Sequence, residues 1–187
     1  NAHPHATSEV ALVHNGIIEN FKPLRDELIA RGRTFESETD TEIVAHLISE
    51  QVEAGASPED AVRAVLPSLR GAFALAIAFR ADPDMLIGAR LGSPLVLGYG
   101  EGEMYLGSDA IALAPFTNSI TYLEDGDWAV VRRGDLQIFD IEGRPVERMR
   151  QRSLGTSYLV DKGNYRHFME KEIHEQPEVI SHTLANY

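Results

Sequence analysis

Two short stretches of this 187-residue chain place polar groups at spacings with chemical meaning. The first is HNGIIEN, residues 14–20, which follows the apolar run of residues 10–13. Asn-Gly ordinarily marks a turn, most often one that joins two strands. Here the residues that follow have a helical pattern, so a hairpin does not fit. A glycine at a strand end can aim its backbone N–H outward, and the neighbouring Asn15 amide can add a second donor. Two donors converging on one point make an oxyanion hole; the plainer alternative is an ordinary turn. The second stretch is SETDTE, residues 37–42, with carboxylates at Glu38, Asp40 and Glu42. They could form a carboxylate cluster, though acids are favoured at a helix N-terminus by the dipole alone. His3, His5 and His14 supply imidazoles, but His-x-His without a third ligand at fixed spacing is a weak metal signal, and polar or core histidines account for it. There is no cysteine, hence no thiolate metal site, disulfide or thiol nucleophile within these residues. A P-loop, a Rossmann fingerprint and a serine nucleophile elbow are all missing.

Positioning these groups requires a strand followed by helices. Residues 10–14 read as a short buried strand, with Asn15-Gly16 at its end. Residues 20–31 read as a helix with Asn20 as N-cap, Pro23 in the first turn, and Phe21, Leu24, Leu28 and Ile29 on one side. Thr39 with Glu42 three residues on forms a capping box for a second helix, whose apolar stripe is Val44, Leu47, Ile48 and Val52. A third helix opens at Ser57-Pro58-Glu59-Asp60, with an N-cap, proline at the first helical position and acids in the first turn. Beyond Gly71 the pattern becomes short strands separated by turns, with hairpins at Gly100-Glu101-Gly102 and Gly134-Asp135 and a helical turn near residues 109–114. Helices segregated from a run of antiparallel strands predict an α+β layered domain rather than a doubly wound sheet. From Met149 on, the pattern gives way to an irregular connector and a C-terminal helix.

Composition narrows the partners. The formal net charge is −12, from 29 acidic and 17 basic residues, which argues against nucleic acid or an anionic membrane surface, since both need a cationic face. The one basic cluster, Arg144, Arg148, Arg150 and Arg152, reads as a solvated or interdomain segment. No apolar run approaches the ~20 residues that span a bilayer, and no signal peptide is visible, so a cytoplasmic location is expected. The chain opens on Asn1 rather than Met, which suggests a piece of a longer protein.

Taken together and in order, NAHPH, VHNGIIENFKPLRDEL, SETDTEIVAHLI, LRGAFALAI, ARLGSPLVLGYGEGEMYLGSD and YRHFMEKEIHEQP resemble the glutaminase domains of the class II (Ntn) glutamine amidotransferase family. The resemblance covers nearly the whole chain, and the closing segment points to the branch that aminates fructose 6-phosphate. It implies an Ntn-hydrolase αββα sandwich, compatible with the α+β reading. It also implies an N-terminal cysteine whose thiol attacks the side-chain amide of glutamine, with its own α-amino group as base. The resulting thioester releases ammonia to a C-terminal isomerase domain, where fructose 6-phosphate becomes glucosamine 6-phosphate, and water frees glutamate; no cofactor or metal is implied. Carried onto this chain, Asn15 and Gly16 resemble the oxyanion-hole pair, through the side-chain amide and the backbone N–H respectively. Gly16 would be small so that no Cβ obstructs the amide. Asp40 resembles the carboxylate that holds the α-ammonium of glutamine, His3 resembles a histidine near the pocket, and residues 171–177 resemble the join to the isomerase.

The departures set further expectations. The nucleophilic cysteine and the family's Arg-Trp-Ala-Thr-His segment are both absent, so the domain is expected to be N-terminally incomplete and inactive alone. A strand edge would be left bare, and homo-oligomers are expected through the full-length protein or that edge. The expected division is 1–148 for the glutaminase part and 149–187 for the connector. The rivals are another class II amidotransferase, of the amidophosphoribosyltransferase or asparagine synthetase type, and a non-catalytic glutamine-binding module.

Overall fold

The computed structural model describes residues 3–153 and 165–185. Local chemistry starts the helices. In α2 (Asp40–Glu53) the Thr39 side chain accepts from the Glu42 N–H, and in α3 (Pro58–Val65) the Ser57 side chain accepts from the Asp60 N–H, with Pro58 in the first turn. α1 (Phe21–Ala30) differs from expectation, because Asn20 makes no side-chain cap bond. Its amide instead donates to the Ser68 carbonyl and accepts from the Arg70 N–H, pinning the start of α1 to the entry of β3 (Gly71–Phe79). Gly32 and Gly55 follow α1 and α2 with positive φ, where a left-handed residue ends a helix.

The larger sheet has seven antiparallel strands in the order β1 (His5–Ala6), β2 (Val10–Ile18), β3, β4 (Asp82–Leu91), β8 (Trp128–Arg132), β9 (Leu136–Phe139) and β10 (Pro145–Val146). The smaller has four, in the order β11 (Arg150–Arg152), β7 (Ser119–Tyr122), β5 (Val96–Tyr99) and β6 (Met104–Gly107). The segment ITYLEDGDWAVVRR is therefore divided between the two sheets, β7 in one and β8 in the other. Pairing of Arg150–Arg152 with β7 carries ordered backbone beyond residue 149. α4 (Ala110–Leu113) is capped by Asp109, and α5 (Phe168–Ala185) closes the described chain. Residues 154–164 of the expected connector lie outside the described residues.

The period-2 alternation of strands decides the layers. Phe73, Leu75, Ile77 and Phe79 of β3, with Trp128 and Val130 of β8, face α1–α3 and share a core with Leu28, Ile43, Val44, Ile48 and Val62. Ala74 of β3 and Ala129 and Val131 of β8 turn the other way and pack with Leu95, Leu97 and Leu123 between the sheets. Val96 and Ile120 on the outer face of the smaller sheet cover Ala110 and Leu113 of α4. The order is helices, sheet, sheet, short helix: an α+β sandwich with the αββα layering.

Candidate functional site

The site forms where β2 meets the start of α2. β2 does not stop at His14; it continues through Asn15 and Gly16 to Ile18, in unbroken register with β3. Asn15-Gly16 is thus inside a strand, and neither a turn nor a strand end. Backbone bonds from Arg80 to Glu9 and from Glu19 to Arg70 frame the ladder. Because antiparallel pairs alternate between bonded and unbonded, Asn15 and Ile17 carry the bonded pairs, while the N–H groups of Gly16 and Ile18 are directed away from β3. β1 pairs only with Ala11 and Leu12. Among the described residues, the edge of β2 beyond them has no strand partner, and it is there that the N–H of Gly16 is presented.

Gly16 is required by the ladder itself. Its φ is +121°, and a Cβ would lie 2.0 Å from the Ala72 carbonyl oxygen. Gly71, at φ +123°, meets the mirror-image restriction against the Ile17 carbonyl oxygen at 2.2 Å. Beside the expectation that Gly16 is small to let a substrate approach stands a requirement of the ladder: the two strands close on each other here, and only glycine fits.

Asp40 is the first residue of α2, and its Oδ2 accepts from the Ile18 N–H at 2.7 Å. This bond brings the carboxylate to β2 two residues beyond Gly16, although 22 residues separate the partners. His14, two residues before Gly16 on β2, also reaches the start of α2. Its side chain is 2% exposed, with Nδ1 3.0 Å from Thr41 Oγ1 and 3.9 Å from Asp40 Oδ1. Burial lowers the pKa of His14 below its ordinary 6.5; Asp40 opposes that shift and His3 adds to it. Asn15 points to the opposite face of the strand. There, with His3, Val13, Ala74, Leu106 and Ser108, it lines an open cavity of about 220 Å³ at the mouth between the sheets. The Asn15 amide makes no hydrogen bond among the described residues and is available to a ligand.

The loop before α2 is held by Glu42. Its carboxylate reaches past the cap residue to the N–H groups of Glu36 and Ser37, each at 2.7 Å, and to the Ser37 hydroxyl. The expected capping box is half kept: Thr39 accepts from Glu42, but the return bond goes further back along the chain. Burial alone would raise the Glu42 carboxyl, yet the Ser37 hydroxyl and the two backbone donors outweigh it and hold the carboxyl below its usual range.

The structure thus brings Asn15, Gly16 and Asp40 to one stretch of β2, and His3 to the same cavity as Asn15. His3 and His5 touch each other edge to face at 5.5 Å, and His5 lies 3.3 Å from Thr39 Oγ1. Among the described residues no group of three or more His, Cys, Asp or Glu is placed to hold a metal ion, and no helix is long and apolar enough to cross a membrane. The basic cluster is drawn into local ion pairs, Arg144 with Asp140 and Arg148 with buried Asp127, while Arg150 stacks on Tyr99. Sequence reasoning missed the tie from His14 to Thr41 and Asp40. The signal for its burial was present, since His14 continues the Val10, Leu12 alternation into the core.

Residues 2–115, which contain His3, His14, Asn15, Gly16 and Asp40, match the glutamine amidotransferase domain family. The chain belongs to that family. Over all 187 residues the chain is 67% identical to a Mesorhizobium japonicum protein named glutamine–fructose-6-phosphate aminotransferase (isomerizing). It is 65% and 64% identical over the same span to proteins of that name from Brucella abortus and Zymomonas mobilis. The chain spans 31% of the length of each of these relatives. Among solved structures it is similar to glutamine phosphoribosylpyrophosphate amidotransferase from B. subtilis in complex with ADP and GMP, with a TM-score of 0.61 and 27% identity over 71% of this chain and 29% of that one. A second, described as the allosteric regulatory enzyme of purine biosynthesis, gives 0.60 and 26% over 72% and 29%. These neighbours place the amidotransferase domain in the Ntn-hydrolase sandwich class.

Proposed function

We propose that this domain hydrolyses the side-chain amide of glutamine and supplies the ammonia for converting fructose 6-phosphate to glucosamine 6-phosphate. The observation that carries the reading is the 64–67% identity, over every residue of the chain, to proteins named for that reaction. The solved amidotransferase neighbours stand at 27% and 26% identity, which favours the fructose-6-phosphate branch over the phosphoribosyl one.

In this reading a thiolate attacks the amide carbon of glutamine and the carbonyl oxygen becomes an oxyanion. The side-chain N–H of Asn15 and the outward backbone N–H of Gly16 donate to it. Collapse expels ammonia and leaves a thioester, which water converts to glutamate with return of the thiol. Asp40, fixed on one oxygen by Ile18, offers its second oxygen to the α-ammonium of glutamine. His3 borders the same cavity as Asn15 and contributes to substrate binding. The chain holds no cysteine, so the thiolate comes from outside these 187 residues. Residues 1–148 form the glutaminase part and 149–187 lead to a C-terminal isomerase domain that binds fructose 6-phosphate. The full-length protein is read as a cytoplasmic homo-oligomer.

The test is the full-length natural protein with glutamine and either fructose 6-phosphate or phosphoribosyl pyrophosphate as acceptor. Glucosamine 6-phosphate and glutamate should form in equal amounts with the first and no aminated product with the second. Amination of phosphoribosyl pyrophosphate, or glutamine binding without hydrolysis, would overturn the reading. The 187-residue chain alone should release no glutamate.

A further inference from the structure

We propose that His14 is a positioning residue for glutamine binding: through Thr41 it fixes the start of α2 and keeps Oδ1 of Asp40 directed to the α-ammonium of the substrate. This rests on the glutaminase reading above. The geometry is specific. Among the described residues His14 is the imidazole that comes within 4 Å of Asp40, and it reaches α2 from the face of β2 opposite Asn15. One residue of the strand therefore ties to the carboxylate while the next presents the amide donor, so the two halves of the site share one stretch of backbone. Asp40 Oδ2 is taken by the Ile18 N–H. Oδ1 is the oxygen turned towards a ligand; the Thr41 hydroxyl approaches it at 3.5 Å and His14 at 3.9 Å.

The charge state of His14 then decides who holds that oxygen. Nε2 is buried and has no hydrogen-bond partner among the described residues, whereas an imidazolium needs acceptors on both nitrogens. Either neutral tautomer makes the Thr41 contact. The groups facing the ring are Asp40 and Thr41 from α2 and His3 from the segment before β1; Leu75, its cross-strand partner on β3, is apolar. Burial, the largest influence, favours the neutral ring. Protonated, His14 would compete with the α-ammonium for Asp40, and an opposite charge at such range is worth about one pKa unit or more, a factor of ten each.

The experiment is steady-state glutamine hydrolysis by the full-length natural protein from about pH 8 down to about pH 5, the acid end being included because a lowered histidine gains its proton below the ordinary range. Wild type is compared with His14→Gln, which stays neutral, and with Thr41→Val, which removes the hydroxyl. In wild type the KM for glutamine should rise about tenfold towards acid, with a smaller change in kcat. In His14→Gln that rise should be flattened. Thr41→Val should raise KM about 2–10-fold near neutral pH, the effect of one lost hydrogen bond. A KM profile in His14→Gln that follows wild type, or losses confined to kcat in both variants, overturns the role. If His14→Gln fails to fold, Thr41→Val decides alone: an unchanged KM near neutral pH overturns it. If wild type releases no glutamate at any pH, the glutaminase reading falls and takes this role with it.

Discussion

Replacing Gly16 with alanine would place a methyl carbon 2.0 Å from the Ala72 carbonyl oxygen, about 1.4 Å short of ordinary contact, at a φ of +121°. Two costs follow, and the structure offers a way to separate them. Holding an alanine at positive φ costs about 1–2 kcal/mol. Relieving the clash requires β2 and β3 to part where Asn15–Ala74 and Ile17–Ala72 are paired, and losing that local ladder adds about 1 kcal/mol for each bond weakened. The expected loss is about 3–5 kcal/mol, from a total stability typically of 5–15 kcal/mol, or roughly 6–20 °C in Tm at this chain length. Gly32 serves as the control: its φ is +91°, but a Cβ there meets nothing within 4 Å. Gly32→Ala carries the φ cost alone, partly offset by a stiffer unfolded chain, and should cost about 1 kcal/mol or less. Urea and thermal unfolding of wild type and both variants give the comparison. Gly71→Ala, with its 2.2 Å approach to the Ile17 carbonyl oxygen, should behave like Gly16→Ala. If Gly16→Ala and Gly32→Ala destabilise equally, the close approach of the strands is not what demands glycine at residue 16.

Asn15→Ala in the full-length natural protein should lower kcat for glutamine hydrolysis about 10²–10³-fold, the usual cost of one oxyanion donor; a change confined to KM would assign Asn15 to ground-state binding. Asp40→Ala should chiefly raise the KM for glutamine, and an unchanged KM would remove Asp40 from the binding site. The folded carboxyl of Glu42 titrates below its unfolded value, so its contribution to stability is present above the unfolded pKa and lost as pH falls through the folded one. Urea midpoints of Glu42→Gln should therefore be lower than wild type at neutral pH and converge with it in acid; parallel profiles would refute this. Arg148→Met leaves Asp127, 1% exposed, without its bidentate partner. That should cost about 3–5 kcal/mol in an unfolding experiment, and a loss under 1 kcal/mol would show that the pair is screened by solvent.

Much of this protein is written locally. Thr39 and Ser57 start their helices because a hydroxyl three residues ahead of an amide needs nothing from the rest of the chain. Glycines at residues 32 and 55 stop α1 and α2 for an equally local reason, and the alternation of large and small residues through AFALAIAF sorts β3 between two cores. The order of HNGIIEN and SETDTE was enough to name Asn15, Gly16 and Asp40 as candidates. What the sequence could not show is anything that depends on a partner far along the chain. Asn-Gly looks like a turn until β3 pairs with it, because a dipeptide's flexibility is local whereas its conformation is set by the strand beside it. Gly16 is fixed by Ala72, Asp40 by Ile18, Asn20 by Ser68 and Arg70, and Glu42 by a loop folded back over its own helix. Those contacts exist only once hydrophobic burial has brought β2, β3 and α2 together, and burial is what favours the neutral form of His14 beside a carboxylate. The sequence by itself therefore determined the elements and the candidate chemistry. The tertiary structure alone decided the conformation of the donors, which oxygen of Asp40 is taken by the Ile18 N–H, and the burial of the imidazole beside it.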